Sequence, residues 1–357
     1  MPFSGPRCPP ANSVTASQGS FARLVPIHRF GVPTPDSEVT NPGMAGFSHR
    51  YAPRALTVSR LILGCGNFGG IGSAPEFFGQ GESEEEAYRL MDAAWERGIT
   101  SFDTADAYGG GRSETWIGRW LERTGNEPVL TTKVFHSVEG DPDDHGLSRE
   151  RILRQIDGSL MRLGVDHVDM YLIHEPDPET PLEETLDALD EVARAGKVRV
   201  IGASNVDVAW LEQARGRVQW VQNSYSLLDR ESEDVLQLCA EQGLGFTPFS
   251  PLAGGWLAGK YRRNEPTPPG SRMTMRPEPY LHLDSEVVYR GLDALVAAAA
   301  EHSVDMPTLA LAWLLADPRV TAVVVGPRRP EHLEPACAAL DVELTPAERD
   351  ELASLFP

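Results

Sequence analysis

Asp103 and Tyr108 lie five residues apart in the stretch Ser101-Phe102-Asp103-Thr104-Ala105-Asp106-Ala107-Tyr108-Gly109-Gly110-Gly111, which starts as a strand and ends as a glycine-rich loop. Lys133 closes the next apolar run, Leu130-Thr131-Thr132-Lys133. His174 closes the one after it, in Tyr171-Leu172-Ile173-His174-Glu175-Pro176. Such a set could move a proton to or from an oxygen. A phenol has an ordinary pKa of about 10 and exchanges its proton poorly near neutrality. An ammonium beside it favours the phenolate and lowers that value. A carboxylate paired with the ammonium would fix it and limit the cost of burying its charge. The imidazole could donate a hydrogen bond to the same oxygen or relay the proton. Singly, each group reads more simply as an ion pair or a helix cap. Lys133 is the most telling, because a charge ending an apolar strand is poorly solvated without a partner.

These groups act together only if one end of a scaffold gathers them. From Leu61 onward the chain alternates short apolar runs with amphipathic stretches. The runs are Leu61–Leu63, Ile99–Asp103, Val129–Val134, Met170–His174, Val198–Gly202, Val218–Val221, Gly245–Pro248 and Thr321–Val325. They are rich in β-branched residues or nearly all apolar, the pattern of parallel strands covered on both faces. Between them, Leu182, Leu186, Leu189 and Val192 share one helical face, as do Ile152, Leu153, Ile156 and Leu160. Ser83 with Glu86 and Thr180 with Glu183 read as capping boxes, the second with Pro181 at the first helical position. Eight strand–helix units in about 300 residues predict an α/β fold, a single-domain (β/α)8 TIM barrel over residues 51–357.

No GxGxxG follows the first strand, which counts against an open doubly wound sheet. The stretch Gly64-Cys65-Gly66-Asn67-Phe68-Gly69-Gly70 is glycine-rich but differently spaced. The segment from Gly254 to about Pro279, rich in Pro, Gly and Arg, is too long for an ordinary connection and reads as a functional loop, for instance a lid. In a barrel of this kind chemistry collects at the carboxyl ends of the strands. Besides the four groups above, those ends carry Ser204-Asn205, Gln222-Asn223, Phe249-Ser250-Pro251-Leu252 and Gly326-Pro327-Arg328-Arg329.

Charge and cysteine usage narrow the partners. The 357 residues carry a formal net charge of -20 and are 41% hydrophobic, ample for a core. No apolar run reaches transmembrane length. The acidity disfavours nucleic acid and anionic membranes, whose phosphates would be repelled, although a small phosphorylated ligand suits locally gathered arginines. Cys8, Cys65, Cys239 and Cys337 show neither CxxC nor metal-ligand spacing, which fits a reducing, cytoplasmic setting without disulfides. Residues 1–50 are rich in Pro, Ser, Thr, Gly and Asn and read as a disordered extension. Arg7, Arg23 and Arg29 precede the first acid, Asp36, as in a transit peptide; an upstream start, with Met44 the physiological one, is preferred.

The residues Phe102-Asp103-Thr104-Ala105-x-x-Tyr108-Gly109, Thr132-Lys133, Leu172-Ile173-His174, Gly202-x-Ser204-Asn205, Gln222-x-x-Tyr225 and Ser250-Pro251-Leu252 resemble the aldo-keto reductase superfamily. Within it they are similar to the bacterial branch that includes aldose dehydrogenases and potassium-channel β subunits. The match runs from about Tyr51 to the C-terminus. The resemblance implies a (β/α)8 barrel, NADPH bound across the barrel mouth in preference to NADH, and reversible interconversion of carbonyl and alcohol. It makes Tyr108 the general acid, with Lys133, Asp103 and His174 beside it. It gives Ser204, Asn205 and Gln222 to the nicotinamide carboxamide, and it puts Phe249 where the family usually has a tyrosine stacked on the ring. Ser250, Pro251 and Leu252 follow in the same motif. Gly254, Gly255, Leu257, Gly259 and Lys260 resemble the loop that closes over the pyrophosphate. Gly326, Arg328 and His332 complete the expected cofactor contacts, Arg328 standing where an arginine often clamps the 2′-phosphate. Where relatives commonly show Glu-Asn, this chain reads Pro335-Ala336.

Pocket walls are expected from Gly109–Arg112, His136–Gly146 and Trp256–Leu283. Aromatics (Phe77, Phe78, Trp256, Tyr280) beside acids (Asp141, Asp143, Asp144) would suit an aryl aldehyde or a polyhydroxylated sugar. A carbonyl reductase with a small-molecule substrate is the leading expectation. The alternative is a cofactor-binding regulatory or auxiliary subunit of the same fold that works through a protein partner. A metal-dependent barrel hydrolase built on His174 with Asp103 or Glu175 lacks any HxH or close His–carboxylate pair, and no metal is expected.

Overall fold

The computed structural model describes Leu24–Pro26 and residues 56–357. Strand β1 (Leu24–Pro26) pairs antiparallel with β2 (Thr57–Ser59). β1 is the part of the predicted N-terminal extension that falls among the described residues; the rest of that expectation, Cys8 and Met44 included, lies outside them.

Eight parallel strands follow: β3 (Leu61–Gly64), β4 (Ser101–Asp103), β5 (Val129–Val134), β6 (Val168–Ile173), β7 (Val198–Ser204), β8 (Trp220–Gln222), β9 (Gly245–Phe246) and β10 (Val323–Val325). Each neighbours the next in sequence, and β10 lies beside β3. The Thr321 N–H donates to Phe246 O at 2.9 Å and the Val324 N–H to Pro248 O at 3.0 Å, which joins the last strand to β9 and closes the cylinder. Every predicted apolar run supplies one of these strands. The molecule is a (β/α)8 barrel.

The pleat sorts the strand residues. Ile62, Met170, Leu172, Val200, Trp220 and Val324 fill the barrel interior, with Leu56 and Val58 packed among them from the amino-terminal side. Tyr171 and Ile173 alternate outward, into the layer between strands and helices. Gly245 is required by the interior indole: a Cβ there would stand 2.2 Å from Trp220 Cε3.

The outer layer comprises α1 (Glu84–Glu96), α2 (Arg112–Thr124), α3 (Arg149–Leu163), α4 (Leu182–Arg194), α5 (Val208–Ala214) and α6 (Glu233–Gln242), each following its strand. After β9 come α7 (Arg272–Met275), α8 (Glu286–Glu301) and α9 (Met306–Leu315); α10 (Glu334–Ala339) and α11 (Pro346–Ser354) end the chain. The expected apolar stripes face inward: Leu186, Leu189 and Val192 on α4 and Ile152 and Ile156 on α3 are buried.

The Ser83 capping box forms as predicted, the Glu86 N–H donating to Ser83 Oγ at 3.3 Å and the Ser83 N–H to Glu86 Oε2 at 2.8 Å. The Thr180 box does not form. Thr180 Oγ1 instead donates to Asp177 Oδ2 at 2.7 Å, and Pro181 caps α4 with no side-chain bond. Asp177 also accepts from the Leu147 and Glu179 N–H groups, so it organises this loop in place of a cap. No helix among the described residues is long and apolar enough to cross a membrane. The described cysteines, Cys65, Cys239 and Cys337, are buried free thiols.

Candidate active site

Asp103 ends β4, Lys133 lies one position from the end of β5, and His174 directly follows β6. Parallel register therefore sets all three at the carboxyl-terminal mouth. Lys133 is 1% exposed, and burial of its charge is offset by bonds on two sides. Its Nζ donates to Asp103 Oδ1 at 2.6 Å and to Thr104 O at 2.9 Å. Gln222 Nε2, from β8, donates to Asp103 Oδ2 at 2.8 Å. Tyr108 sits in the loop after β4, where Gly109, Gly110 and Gly111 all take positive φ to turn the chain into α2. A Cβ on Gly109 would meet Phe68 O at 2.4 Å, so the turn admits no larger residue. The loop brings Tyr108 OH to 3.5 Å from His174 Nε2 and the Tyr108 ring centroid to 5.2 Å from Lys133 Nζ. The four chemistry-bearing groups thus form one cluster.

Electrostatics refine the simple expectation for the phenol. Burial pushes the Tyr108 pKa up, the Lys133 charge pulls it down and Asp103 pushes it up again; the balance lies above the ordinary phenol value. The phenol is therefore held protonated. Burial opposes the Lys133 ammonium, but Asp103 and Tyr108 outweigh it and leave the amine more basic than usual. Burial, then Lys133 and His136, drive His174 well below the ordinary imidazole value, so its ring is neutral. His174 Nδ1 has no hydrogen-bond partner, which leaves Nε2 as the nitrogen facing the phenol.

A cradle runs from this cluster along the mouth. Ser204 and Gln222 are buried at the ends of β7 and β8. Asn205, at φ 57°, donates from Nδ2 to His174 O at 2.8 Å and to Ser204 Oγ at 3.3 Å, tying two strand ends together. Phe249 packs on the upper end of the barrel interior and lines the cavity with Tyr108. Beyond it Ser250, Ala253, Gly254, Gly255 and Gly259 all take positive φ. These tight turns are closed by their own backbone bonds, the Ala253 N–H donating to Ser250 O at 2.8 Å, the Gly255 N–H to Leu252 O at 2.9 Å and the Gly259 N–H to Trp256 O at 3.2 Å. Pro251 and Leu252 complete the turn that enters them. Burial, with Arg328, Arg272 and Arg329 close by, depresses the Lys260 pKa. His332 Nδ1 accepts the Arg328 N–H at 3.2 Å. Gly326, at the end of β10, leaves open space where a side chain would stand. Neither the Lys260 amine nor the Arg329 guanidinium has a hydrogen bond or ion pair among the described residues. Crowded cations with unpaired head groups beside these turns fit the diphosphate of a dinucleotide.

The sequence profile of the aldo/keto reductase family matches residues 60–356. The chain belongs to the aldo/keto reductase family. An uncharacterized oxidoreductase, YrpG, of Bacillus subtilis (strain 168) is 35% identical to it over 85% of this chain and 93% of its own length. A probable voltage-gated potassium channel subunit beta of Oryza sativa subsp. japonica is 33% identical over 78% of this chain and 89% of its own. Among solved structures, the thermostable aldo-keto reductase Tm1743 covers 84% of this chain and 96% of its own at 32% identity and a TM-score of 0.66. The protein is accordingly an oxidoreductase of carbonyl and alcohol groups.

Several features of this aldo/keto reductase escape sequence reasoning. Glu82 is 4% exposed and accepts from Arg328 Nε at 2.8 Å, while Arg328 Nη1 donates to Gly270 O at 2.8 Å. The expected 2′-phosphate clamp is thus partly engaged within the protein. Arg272 donates to Asn67 Oδ1 at 2.7 Å and so pins the long segment after β9 to the glycine-rich loop after β3. That segment has structure of its own: 3₁₀ turns at Ala253–Ala258 and Glu278–Leu283 flank α7. Trp256, expected in the pocket wall, is 1% exposed and packs between Tyr261 and Tyr289 as core. Tyr280 does line the cavity, whereas Asp144 is occupied by Arg151 and Arg154. Among the described residues no group of His, Cys, Asp and Glu side chains could hold a metal ion.

Proposed function

We propose that this chain is an NADPH-dependent reductase of an aldehyde, ketone or sugar carbonyl, running in reverse on the corresponding alcohol. One observation carries the reading: the buried Lys133–Asp103 ion pair lies under Tyr108, whose hydroxyl is 3.5 Å from a neutral His174. The nicotinamide, when bound, supplies the hydride. Ser204, Asn205 and Gln222 would hold its carboxamide, Phe249 its ring face, and the turns at Gly254 and Gly255 with Lys260 its diphosphate. The chain's own groups handle the proton. Tyr108, kept protonated by burial, donates to the oxygen of the substrate. Lys133 then stabilises the phenolate left behind, and Asp103 keeps the ammonium in place. His174 orients the carbonyl through Nε2. Proton donation by a positioned side chain is worth about 10²–10⁴ in rate. The buried thiols suit action in a reducing cytoplasm.

The test is a spectrophotometric screen of NADPH consumption across aldehydes, ketones and sugars, run beside sugar oxidation with NADP+. Turnover on at least one class is expected. The likeness to a potassium-channel subunit favours a second reading, a cofactor-binding subunit that works through a protein partner. A silent panel together with capture of a stoichiometric partner would replace the first reading with the second.

A further inference from the structure

The cavity at the barrel mouth, about 410 Å³, runs from Tyr108 and Phe249 out to Tyr280, Arg272 and Arg276. Arg272 opens α7 and Arg276 caps its end, the Arg276 N–H donating to Arg272 O at 2.8 Å, and both side chains line the cavity. Their partners differ. Arg272 is bonded to Asn67 and belongs with the cations suited to the diphosphate. Arg276 is exposed, and its guanidinium has no hydrogen bond or ion pair among the described residues. It lies on the reacting side of the cavity. Its Nη1 is 3.4 Å from the place of a Gly72 Cβ, and its charge bears on His136, whose ring packs 4.8 Å from that of His174. Asp229, the acid among the cavity residues, is engaged elsewhere: it accepts from Ser224 Oγ and from the Glu231 N–H. A chain of net charge -20 thus keeps an uncommitted cation at the opening of its reacting cavity.

Resting on the reductase reading above, we propose that Arg276 selects substrates whose carbonyl is joined to a second, anionic group, a carboxylate or phosphate held at the rim while the carbonyl reaches Tyr108. A guanidinium matches either anion through two parallel N–H bonds. Such a contact is worth about ten- to a hundredfold in affinity, and at an exposed rim its value falls as salt rises.

The test compares 4-carboxybenzaldehyde with methyl 4-formylbenzoate, of similar shape but uncharged. The wild type should favour the acid by about tenfold in kcat/KM, less at high ionic strength. Arg276→Gln should raise KM for the acid about tenfold more than for the ester, with the Kd for NADPH unmoved, and Arg276→Lys should recover part of the preference. Equal handling of acid and ester by the wild type, an equal KM rise for both in Arg276→Gln, or a weakened NADPH Kd in its place would overturn the assignment. If no carbonyl is turned over, the reductase reading fails by itself, and calorimetry with unreactive terephthalate decides on Arg276. Binding about tenfold weaker in Arg276→Gln upholds the anion site, and unchanged binding removes it.

Discussion

Gln222 Nε2 donates to Asp103 Oδ2 at 2.8 Å while Lys133 Nζ holds Asp103 Oδ1 at 2.6 Å. β8 and β4 lie four strands apart around the barrel, so the amide braces the ion pair from across the interior. Gln222 is then a support for Lys133 as well as an expected ligand of the carboxamide. Gln222→Leu leaves one oxygen of a buried carboxylate short of a donor, which costs about 1–3 kcal/mol. Denaturant unfolding should show that loss, and turnover should fall with it. An unchanged unfolding midpoint would mean that the bond contributes nothing net.

Tyr108→Phe removes the hydroxyl and keeps the ring that packs against His174 at a centroid distance of 5.4 Å. The fold and the cradle should survive. Carbonyl reduction should fall by about 10²–10⁴, the usual worth of a positioned acid, with the Kd for NADPH unchanged. Wild-type-like turnover in this variant would remove Tyr108 from the role.

How far these features could be read in the chain depends on whether they leave a periodic or chemical mark. Parallel strands buried on both faces become apolar runs, so all eight are legible, and Lys133 stands out because a charge closes such a run. Glu82 and Arg272 carry no such mark. Each acquires its partner only across a long stretch of chain: Arg272, in the segment after β9, meets Asn67 about 200 residues away, and Glu82 meets Arg328, which follows β10. Trp256 leaves the expected pocket wall because the left-handed turn through Ala253, Gly254 and Gly255 swings it into the core. The expected Thr180 cap is out of frame: α4 begins at Leu182 with Pro181 as its cap, which puts Thr180 one residue too early, where its hydroxyl donates to Asp177. The acidity of Tyr108 departs from expectation for a different reason: proximity to Lys133 is legible in the strand order, but the depth of burial that outweighs it is not.

Arg328 is shared between Glu82 Oε1 and Gly270 O, both at 2.8 Å, which leaves one amino group of its guanidinium for an outside anion. If that group meets the 2′-phosphate, Arg328→Gln should lower the ratio of catalytic efficiencies with NADPH and NADH by about ten- to a hundredfold, chiefly through the KM for NADPH. Glu82→Gln, which lifts the competing charge, should raise the same ratio. Equal efficiencies with the two cofactors in the wild type would take the phosphate clamp out of the account.

Asp106 is fully buried behind the site, and neither of its carboxylate oxygens has a hydrogen-bond partner. Burial, with Glu114 adding to it, pushes its pKa up to about 8, against the pull of Arg151 and Arg162. In the unfolded chain the same acid has a pKa of about 3.9. Between those values the folded protein keeps a proton that the unfolded chain releases. Its contribution to stability is therefore complete below about pH 4 and is lost as pH rises through about 8, by at most about 1.4 kcal/mol per pH unit. Asp106→Asn keeps the shape of the protonated acid and cannot ionise. Unfolding free energies at pH 5, 7 and 9 should show the variant gaining on the wild type at each step up to about pH 8 and then holding a constant lead. The backbone N–H of Asp106 donates to Lys133 O at 3.1 Å and is untouched by the substitution, so turnover at neutral pH should be retained. A difference between the two proteins that does not change with pH would mean that the carboxyl ionises as it would in water, and that solvent reaches it from between β4 and α2.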